Sequence, residues 1–408
     1  MKILHRRCAA LDVHKETVVA CVRVIRGRHV EYETETFGTT TSSLLRLAEW
    51  LGARAVRHVG LEATGVYWKP VWHVLEPSME LVLANAHEVR NIPGRKSDVS
   101  DAQWLSDLLA HGLIRASFVP PAPIQDLRDL TRTRKQLVRE IGQHTLRIQK
   151  TLEGANIKIT GVVSDLLGTS GRALLRGIIA GESDPERLLA ATTGLLRSPR
   201  ERLTDGLRGR PTEHHRFLLR LHLEQIETLE KAIKELEGRT EELIAPFRER
   251  VELLTTMPGV SRTLARVIVA EIGLDMERFA TAGHLISWAG LCPRMDESAG
   301  KRRSTRVRSG APWLKTTLVQ SAWAAVSVKD SYLRSRFLRI KARRGPKKAI
   351  VAVAASMLKA AYFMLRDGQP YRELGGQHFD ELDRGKAARR LAKRIEALGF
   401  TVELRPAA

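Results

Sequence analysis

The chain has 408 residues, with 67 Lys and Arg against 46 Asp and Glu, for a net charge of +21 and a pI near 10.4. Its 43% hydrophobic and 28% charged content is that of a folded globular protein, which excludes the disordered and fibrous classes, and its length predicts two or three domains. The cationic surplus predicts a nucleic-acid partner, with an anionic membrane surface as the weaker alternative. No charge-free apolar run is long enough to span a bilayer. The segment Met1-Lys2-Ile3-Leu4-His5-Arg6-Arg7 lacks the apolar core of a signal peptide, so a cytoplasmic location is expected. Cys8, Cys21 and Cys292 have no metal-type spacing and read as reduced, core-filling thiols.

From Cys8 to Ile25 two β-rich runs are joined by a polar turn, and His29–Phe37 alternates as a third strand. Helix is predicted over Thr41–Leu51 and Val66–Leu75, and strand over Val56–Leu61 and Met79–Ala84. A last helix is expected from Asp98 to about Leu113. The order β-β-β-α-β-α-β-α predicts an α/β, ribonuclease-H-like domain with a mixed sheet. Asp12 falls on the first strand and Glu62 at the end of the fourth. Asp98 and Asp101 sit three apart with Ser97 or Asp98 as cap, so that both carboxylates leave one face of the last helix. Four acids in these elements predict a site for a hard divalent cation such as Mg²⁺. His14 and Lys15 lie close enough to reach phosphate.

Val119-Pro120-Pro121-Ala122-Pro123 ends this first domain. Ile124–Leu152 then reads as a long helix with Leu127, Leu130, Leu137, Ile141, Ile148 and Leu152 inward. Arg128, Arg132, Arg134, Lys135, Arg139, Arg147 and Lys150 form a basic stripe that could track a phosphate backbone. Residues 161–210 contain several short helical patterns. Glu213–Arg250 carries a heptad, with Leu219, Ile226, Ile233, Thr240 and Phe247 at one core position and His222, Leu229, Leu236 and Leu243 at the other. It could pair within the chain or across a dimer, and Pro246 predicts an end or a kink. Met257-Pro258-Gly259 joins two short helices in a manner similar to a helix-hairpin-helix.

Ser298 stands beside Ala299-Gly300 and a run from Lys301 to Arg308 in which five of eight residues are basic. A serine flanked by cations that can stabilise a phosphorane is a candidate nucleophile for phosphoryl transfer. Helices are predicted at Trp313–Val328 and Ala349–Leu365. Between them Ser335–Lys348 is basic and acid-free, and a basic amphipathic helix near Lys386–Leu398 lies in the tail.

Leu11-Asp12-Val13-His14-Lys15, Glu62-Ala63-Thr64-Gly65, Arg95-Lys96-Ser97-Asp98-Val99-Ser100-Asp101-Ala102 and Ala289-Gly290-Leu291-Cys292-Pro293, followed by Glu297-Ser298-Ala299-Gly300-Lys301, together resemble the DEDD insertion-sequence transposases. That is the family of bridge-RNA-guided recombinases, and the resemblance extends from about residue 8 to 366. It implies a RuvC-like domain at 1–118 holding Mg²⁺ through Asp12, Glu62, Asp98 and Asp101. Long coiled-coil helices would fill 119–250, an all-α transposase domain with Ser298 as covalent nucleophile 251–368, and a basic tail 369–408. The family's usual Gly-Gly after the serine is Ala299-Gly300 here. The resemblance also implies DNA partners (element ends and target), a guide RNA, and a dimer or tetramer in which the acids of one subunit meet the serine of another. Nucleic-acid contacts are expected at Lys15, Arg95, Lys96, Lys301, Arg302, Arg303, Arg306, Arg308, Arg343, Arg344, Lys347 and Lys348.

Two other classes fit the composition. A RuvC-like nuclease or junction resolvase would use metal-activated water and leave Ser298 idle. A nucleic-acid-binding scaffold would have degenerate carboxylates and no response to Mg²⁺.

Overall fold

The computed structural model describes residues 3–404 except 64, 87, 88, 90, 91, 93–99, 194, 195, 197, 295, 305, 308 and 309; of Asp296, Ser298, Arg302 and Arg303 it describes the backbone. The chain divides into two compact units, Met1–Val119 and Pro120–Ala408.

The first unit is a mixed five-stranded sheet: β1 (Arg7–Val13), β2 (Thr17–Arg26), β3 (His29–Gly38), β4 (His58–Glu62) and β5 (Glu80–Ala84), in the order β3-β2-β1-β4-β5. The meander β1-β2-β3 is antiparallel, whereas β4 lies parallel to both β1 and β5. Parallel neighbours need a crossover, and α1 (Thr41–Ala53) and α2 (Trp68–Leu75) supply the two crossovers. Alternation divides β1 cleanly. Ala9, Leu11 and Val13 enter the core under α1 and α2, with Val59, Leu61 and Leu83. Cys8 and Ala10 face the other way, packing with Leu105, Leu108, Leu109 and Ala110 of α3 (Asp101–Ala110).

In the second unit α4 (Ala122–Gly154) begins after Pro121, with Pro123 in its first turn, where a missing N–H costs nothing. Beyond the small helices α5 (Thr169–Ile179), α6 (Pro185–Ala190) and α7 (Arg200–Leu207), α8 (Glu213–Ile244) returns and packs on α4. Of the heptad positions, Leu219, Ile226 and Thr240 are buried. His222, Leu229, Leu236 and Leu243 are only half-buried, and Leu223 and Ile244 are buried instead. Pro246 does break the helix, in a 3-10 turn at Ala245–Phe247 before α9 (Arg248–Thr255). The Pro258-Gly259 turn then leads into α10 (Arg262–Ile272). Gly259 has φ +79°, and a Cβ there would stand 2.6 Å from the Ala325 backbone nitrogen, so this glycine serves close packing against a neighbouring helix.

After α11 (Ala282–Trp288) comes a departure from the all-α expectation: β6 (Asp296–Ser298) and β7 (Lys301–Ser304) form a hairpin. Lys301–Ser304 has no helical apolar period, and a two-residue turn closes the pair. Helices α12 (Pro312–Ala325), α13 (Tyr332–Arg344) and α14 (Pro346–Asp367) complete the core. By length and composition α14 could cross a bilayer. It differs in this from the sequence expectation, because its charges other than Lys359 cluster at the ends, and Val353, Met357, Leu358 and Ala361 bury its inner face among the other helices. Two short helices, α15 (His378–Glu381) and α16 (Arg384–Glu396), follow.

Candidate functional site

Asp12 is the even-numbered residue between Leu11 and Val13 on β1, so it leaves the sheet on the α3 face. The register Leu11↔Leu61 sets Asp12 and Glu62 side by side, one residue further along two parallel strands. Glu62 shares its face with Gly60, where a Cβ would lie 3.5 Å from Leu109 and 3.8 Å from Leu105. Both carboxylates therefore stand at the carboxyl ends of adjacent strands, where open α/β sheets place their ligands.

The direction of α3 points its first residue toward the same edge. Its C-terminal end is tied to the approach to β1, since Leu4 and His5 donate backbone N–H bonds to Ala110 O at 2.8 and 3.2 Å, and the Cys8 thiol donates to Ser106 O at 3.6 Å. From the Cys8–Ser106 contact the helix runs about 8 Å back to Asp101, while the strand advances about 13 Å to Asp12. Asp101 is thus carried toward the sheet edge of Asp12 and Glu62 without reaching their level. Asp107 holds the helix in place, accepting from Arg23 Nε at 2.8 Å and from Tyr32 Oη at 2.7 Å. Arg23 is 3% exposed; burial opposes its charge, and Asp107 more than compensates, holding its pKa above the usual arginine value. Burial also pushes the Cys8 thiol up to about 12. This makes it an inert packing group.

The start of α3 differs from the sequence expectation. Ser100, in extended conformation, is the N-cap and accepts from Gln103 N at 3.2 Å, so the helix begins at Asp101. Asp98 comes two residues before this cap in the sequence, so the pairing of the two acids expected from their spacing lies outside the described residues. A serine one residue before the first helical acid is the better cap because its hydroxyl reaches the third amide of the turn. Asp98, Arg95 and Lys96 lie outside the described residues. Asp12 is half-buried with His14 Nε2 at 3.2 Å from its Oδ2, Glu62 is half-buried, and Asp101 is exposed. Asp12 and Glu62 on adjacent strand ends, with Asp101 at the helix N-terminus on the same face of the sheet, are hard oxygen donors of the type a divalent cation takes. Among the described residues no group of three His, Cys, Asp or Glu is close enough to hold a metal unaided. A complete shell would draw on Asp98, on substrate phosphate and on water. Lys15, in the turn after β1, is exposed.

The backbone of Ser298 ends β6 and pairs with Lys301. Ala299 and Gly300 close the turn with φ of +49° and +73°, the signature of a type I′ hairpin. The base of this arm is clamped. Pro293 bridges Val307, Arg294 N donates to Arg306 O at 2.9 Å, and Gly310 lies so near the Gly290 backbone that a Cβ would stand 2.4 Å from Gly290 N. The serine is thus carried at the tip of a braced, solvent-facing arm. Lys301 and Arg306 are exposed along it, while Arg308 lies outside the described residues and Arg302 and Arg303 are described in backbone only. Arg343, Arg344, Lys347 and Lys348 are exposed at the α13–α14 corner.

The stripe on α4 is a correction. Arg128 donates to the carbonyls of Ala270 and Glu271, and Arg132 makes a bidentate pair with Glu271 at 2.8 Å on both oxygens. Arg134 pairs with Glu237, and Lys135 bonds Trp313 O, Thr316 and Thr317. Burial pulls Arg128 down to about 10 and Lys135, repelled further by Arg139, down to about 8. These four cations hold the helices together, leaving Arg139, Arg147 and Lys150 facing solvent. The signal lies in the sequence at Glu271, an acid inside the apolar run of α10, since a buried carboxylate requires a cationic partner.

Family models match both the sheet and the arm. Residues 9–157 match the DEDD, IS110-type transposase family model, and residues 251–338 match the model of the transposase IS116/IS110/IS902 family. The chain is 34% identical over 121 residues to the insertion element IS110 uncharacterized 43.6 kDa protein of Streptomyces coelicolor, covering 29% of each. It is 31% identical over 153 residues to a pilin gene-inverting protein of Moraxella bovis, covering 36% of this chain and 45% of that one. A putative transposase of Sinorhizobium fredii is 26% identical over 167 residues, 39% of this chain and 42% of that protein. The chain thus spans less than half the length of each of these relatives. With its sheet and its serine-bearing segment each matched by a model of one transposase family, the chain belongs to the IS110-type DEDD transposases.

Proposed function

We propose that the protein is a DNA transposase or recombinase that excises and inserts a mobile element. Strands would be cut and rejoined through Ser298 beside a Mg²⁺ site on a ribonuclease-H-like, RuvC-like domain, with an RNA guide selecting the DNA and a homo-oligomer assembling the reaction. What supports this reading is Asp12 and Glu62 side by side on adjacent parallel strand ends, within a chain that also carries Ser298 in a braced cationic hairpin. Asp12, Glu62, Asp98 and Asp101 would hold the ion, which when bound neutralises phosphate charge and acidifies a coordinated hydroxyl or water. In the cleavage step Ser298 Oγ forms a bond to phosphorus while one P–O bond to the flanking sugar breaks. The serine proton passes to base or solvent, and the departing sugar oxygen takes one up. Rejoining reverses the roles: a DNA hydroxyl attacks the phosphoserine and releases Ser298. Lys301 and Arg306 stabilise the pentacovalent charge by proximity along the arm.

The decisive experiment is to trap the cleaved complex with Mg²⁺ and denature it. A DNA adduct on the peptide containing Ser298, lost in Ser298→Ala with DNA and RNA binding retained, is the expected result. Cleavage without any adduct, undiminished in Ser298→Ala, would instead make the protein a nuclease or junction resolvase using metal-activated water. Cleavage that is indifferent to Mg²⁺ removal would sink the metal assignment.

A further inference from the structure

Between α13, α14 and the segment 369–374 lies a cleft of about 390 Å³, within the usual size range for small-ligand sites. Its walls carry the rings of Tyr332, Phe363 and Tyr371 and the cations Arg336, Lys359 and Arg372. None of the three cations forms an ion pair among the described residues. Arg336 uses one nitrogen on Tyr332 Oη at 3.3 Å, and its buried Nε has no hydrogen-bond partner. The acid in the lining, Asp367, is already bound by Arg366 at 2.6 and 3.0 Å. Arg366 also stacks 4.7 Å from the Phe363 ring centroid, covering one side of that ring, yet Phe363 remains 37% exposed. The cleft therefore combines exposed aromatic surface with uncompensated positive charge.

We infer that this cleft binds one unpaired nucleotide of a nucleic-acid strand, its base stacked on Phe363 and its phosphate beside Lys359 and Arg372. The chemistry required is a flat π-face together with an adjacent anion. An unstacked nucleotide supplies both, whereas a duplex shields its base faces. The exposed basic corner at Arg343, Arg344, Lys347 and Lys348 on the same helix pair gives the rest of the strand a backbone track. The inference rests on the nucleic-acid reading above and adds a strand type and a pocket to it.

The test uses the full chain and three fluorescent probes: a single-stranded oligonucleotide containing 2-aminopurine, the same sequence as a duplex, and 2-aminopurine nucleoside monophosphate. Phe363→Leu keeps apolar volume but removes the π-face, and Phe217→Leu, at an exposed ring on α8, is the control. The expected result is quenching on single-strand binding and about a tenfold weaker single-strand Kd in Phe363→Leu, with duplex affinity and the control unchanged. Lys359→Met should weaken single-strand binding and flatten its salt dependence. Single-strand affinity unaffected by Phe363→Leu while duplex still binds would overturn the cleft and leave the transposase reading intact. No binding of either strand form would overturn both. Equal affinity for the mononucleotide and the oligonucleotide would reassign the site to free nucleotides.

Discussion

Ala299 holds φ +49°, a conformation costing an L-residue about 1–2 kcal/mol, and it does so beside the candidate nucleophile. Ala299→Gly should remove that strain and keep or raise adduct formation, whereas Ala299→Val, whose branched Cβ fits the left-handed region worst, should lower it at least tenfold. Equal adduct yield in both variants would show that the turn does not govern the serine. The carboxylates lend themselves to a cleaner separation of fold from chemistry. Asp12 is half-buried and Asp101 exposed, so Asp12→Ala and Asp101→Ala should leave circular dichroism and thermal unfolding nearly unchanged. Cleavage should fall by more than about 100-fold, beyond the loss typical of a merely supporting group near a metal. A cleaving variant would remove that residue from the metal site.

At the scale of elements, buried charge clamps α4 to α10. Glu271 is 1% exposed between Arg128 and Arg132, so Glu271→Ala strands two cations in the core and should cost about 3–5 kcal/mol, read from urea unfolding. A smaller loss would mean that water replaces the carboxylate. Lys135, which ties α4 to the first turn of α12, responds to pH. Its folded pKa is depressed to about 8 from 10.5, so below about pH 8 both folded and unfolded chains carry its proton and the burial penalty is fully present. Between about 8 and 10.5 the unfolded chain binds more protons, and stability from this group rises with pH. Cys8, raised to about 12, acts oppositely as pH climbs above 9, so the informative quantity is a difference. Wild-type protein should gain stability relative to Lys135→Met from pH 8 to 10; parallel curves would refute the buried-ammonium account. These clamps also explain what periodicity reveals and what it hides. Strand alternation around Leu11 and Leu61, and the burial of Leu219 and Ile226 on α8, were legible because apolar burial repeats with the backbone. The fate of Arg128, Arg132 and Lys135 was not, since an arginine facing solvent and one facing a distant glutamate have the same local pattern. The cap of α3 was ambiguous for a related reason: Ser97, Asp98 and Ser100 all offer capping oxygens, and only the fold selects Ser100.

For the whole molecule the question is whether the carboxylate edge of one unit and the serine arm of the other serve one reaction, as proposed. The backbone positions of both proposed halves were legible in sequence because each is a local motif, Asp12 and Glu62 on strand ends and Ser298 before a tight turn. Which halves combine is set by contacts between distant surfaces, and no local pattern encodes those. Complementation answers it. Asp12→Ala lacks a metal carboxylate and Ser298→Ala lacks the nucleophile, so each alone should recombine no DNA. If one active site takes its acids from one subunit and its serine from another, a mixed oligomer contains some sites with both wild-type halves, and recombination should reappear. In a dimer mixed at equal proportions about half the molecules are heterodimers, each with one intact composite site, so activity should peak near equal mixing and vanish at either extreme. The covalent adduct should then map solely to the Asp12→Ala chain, which still carries Ser298; tagging the two chains differently in mass makes that assignment direct. If instead each chain completes its own site, no mixture contains an intact one. Silence at every ratio, with mixed oligomers demonstrated by copurification of the two tags, would refute the shared site.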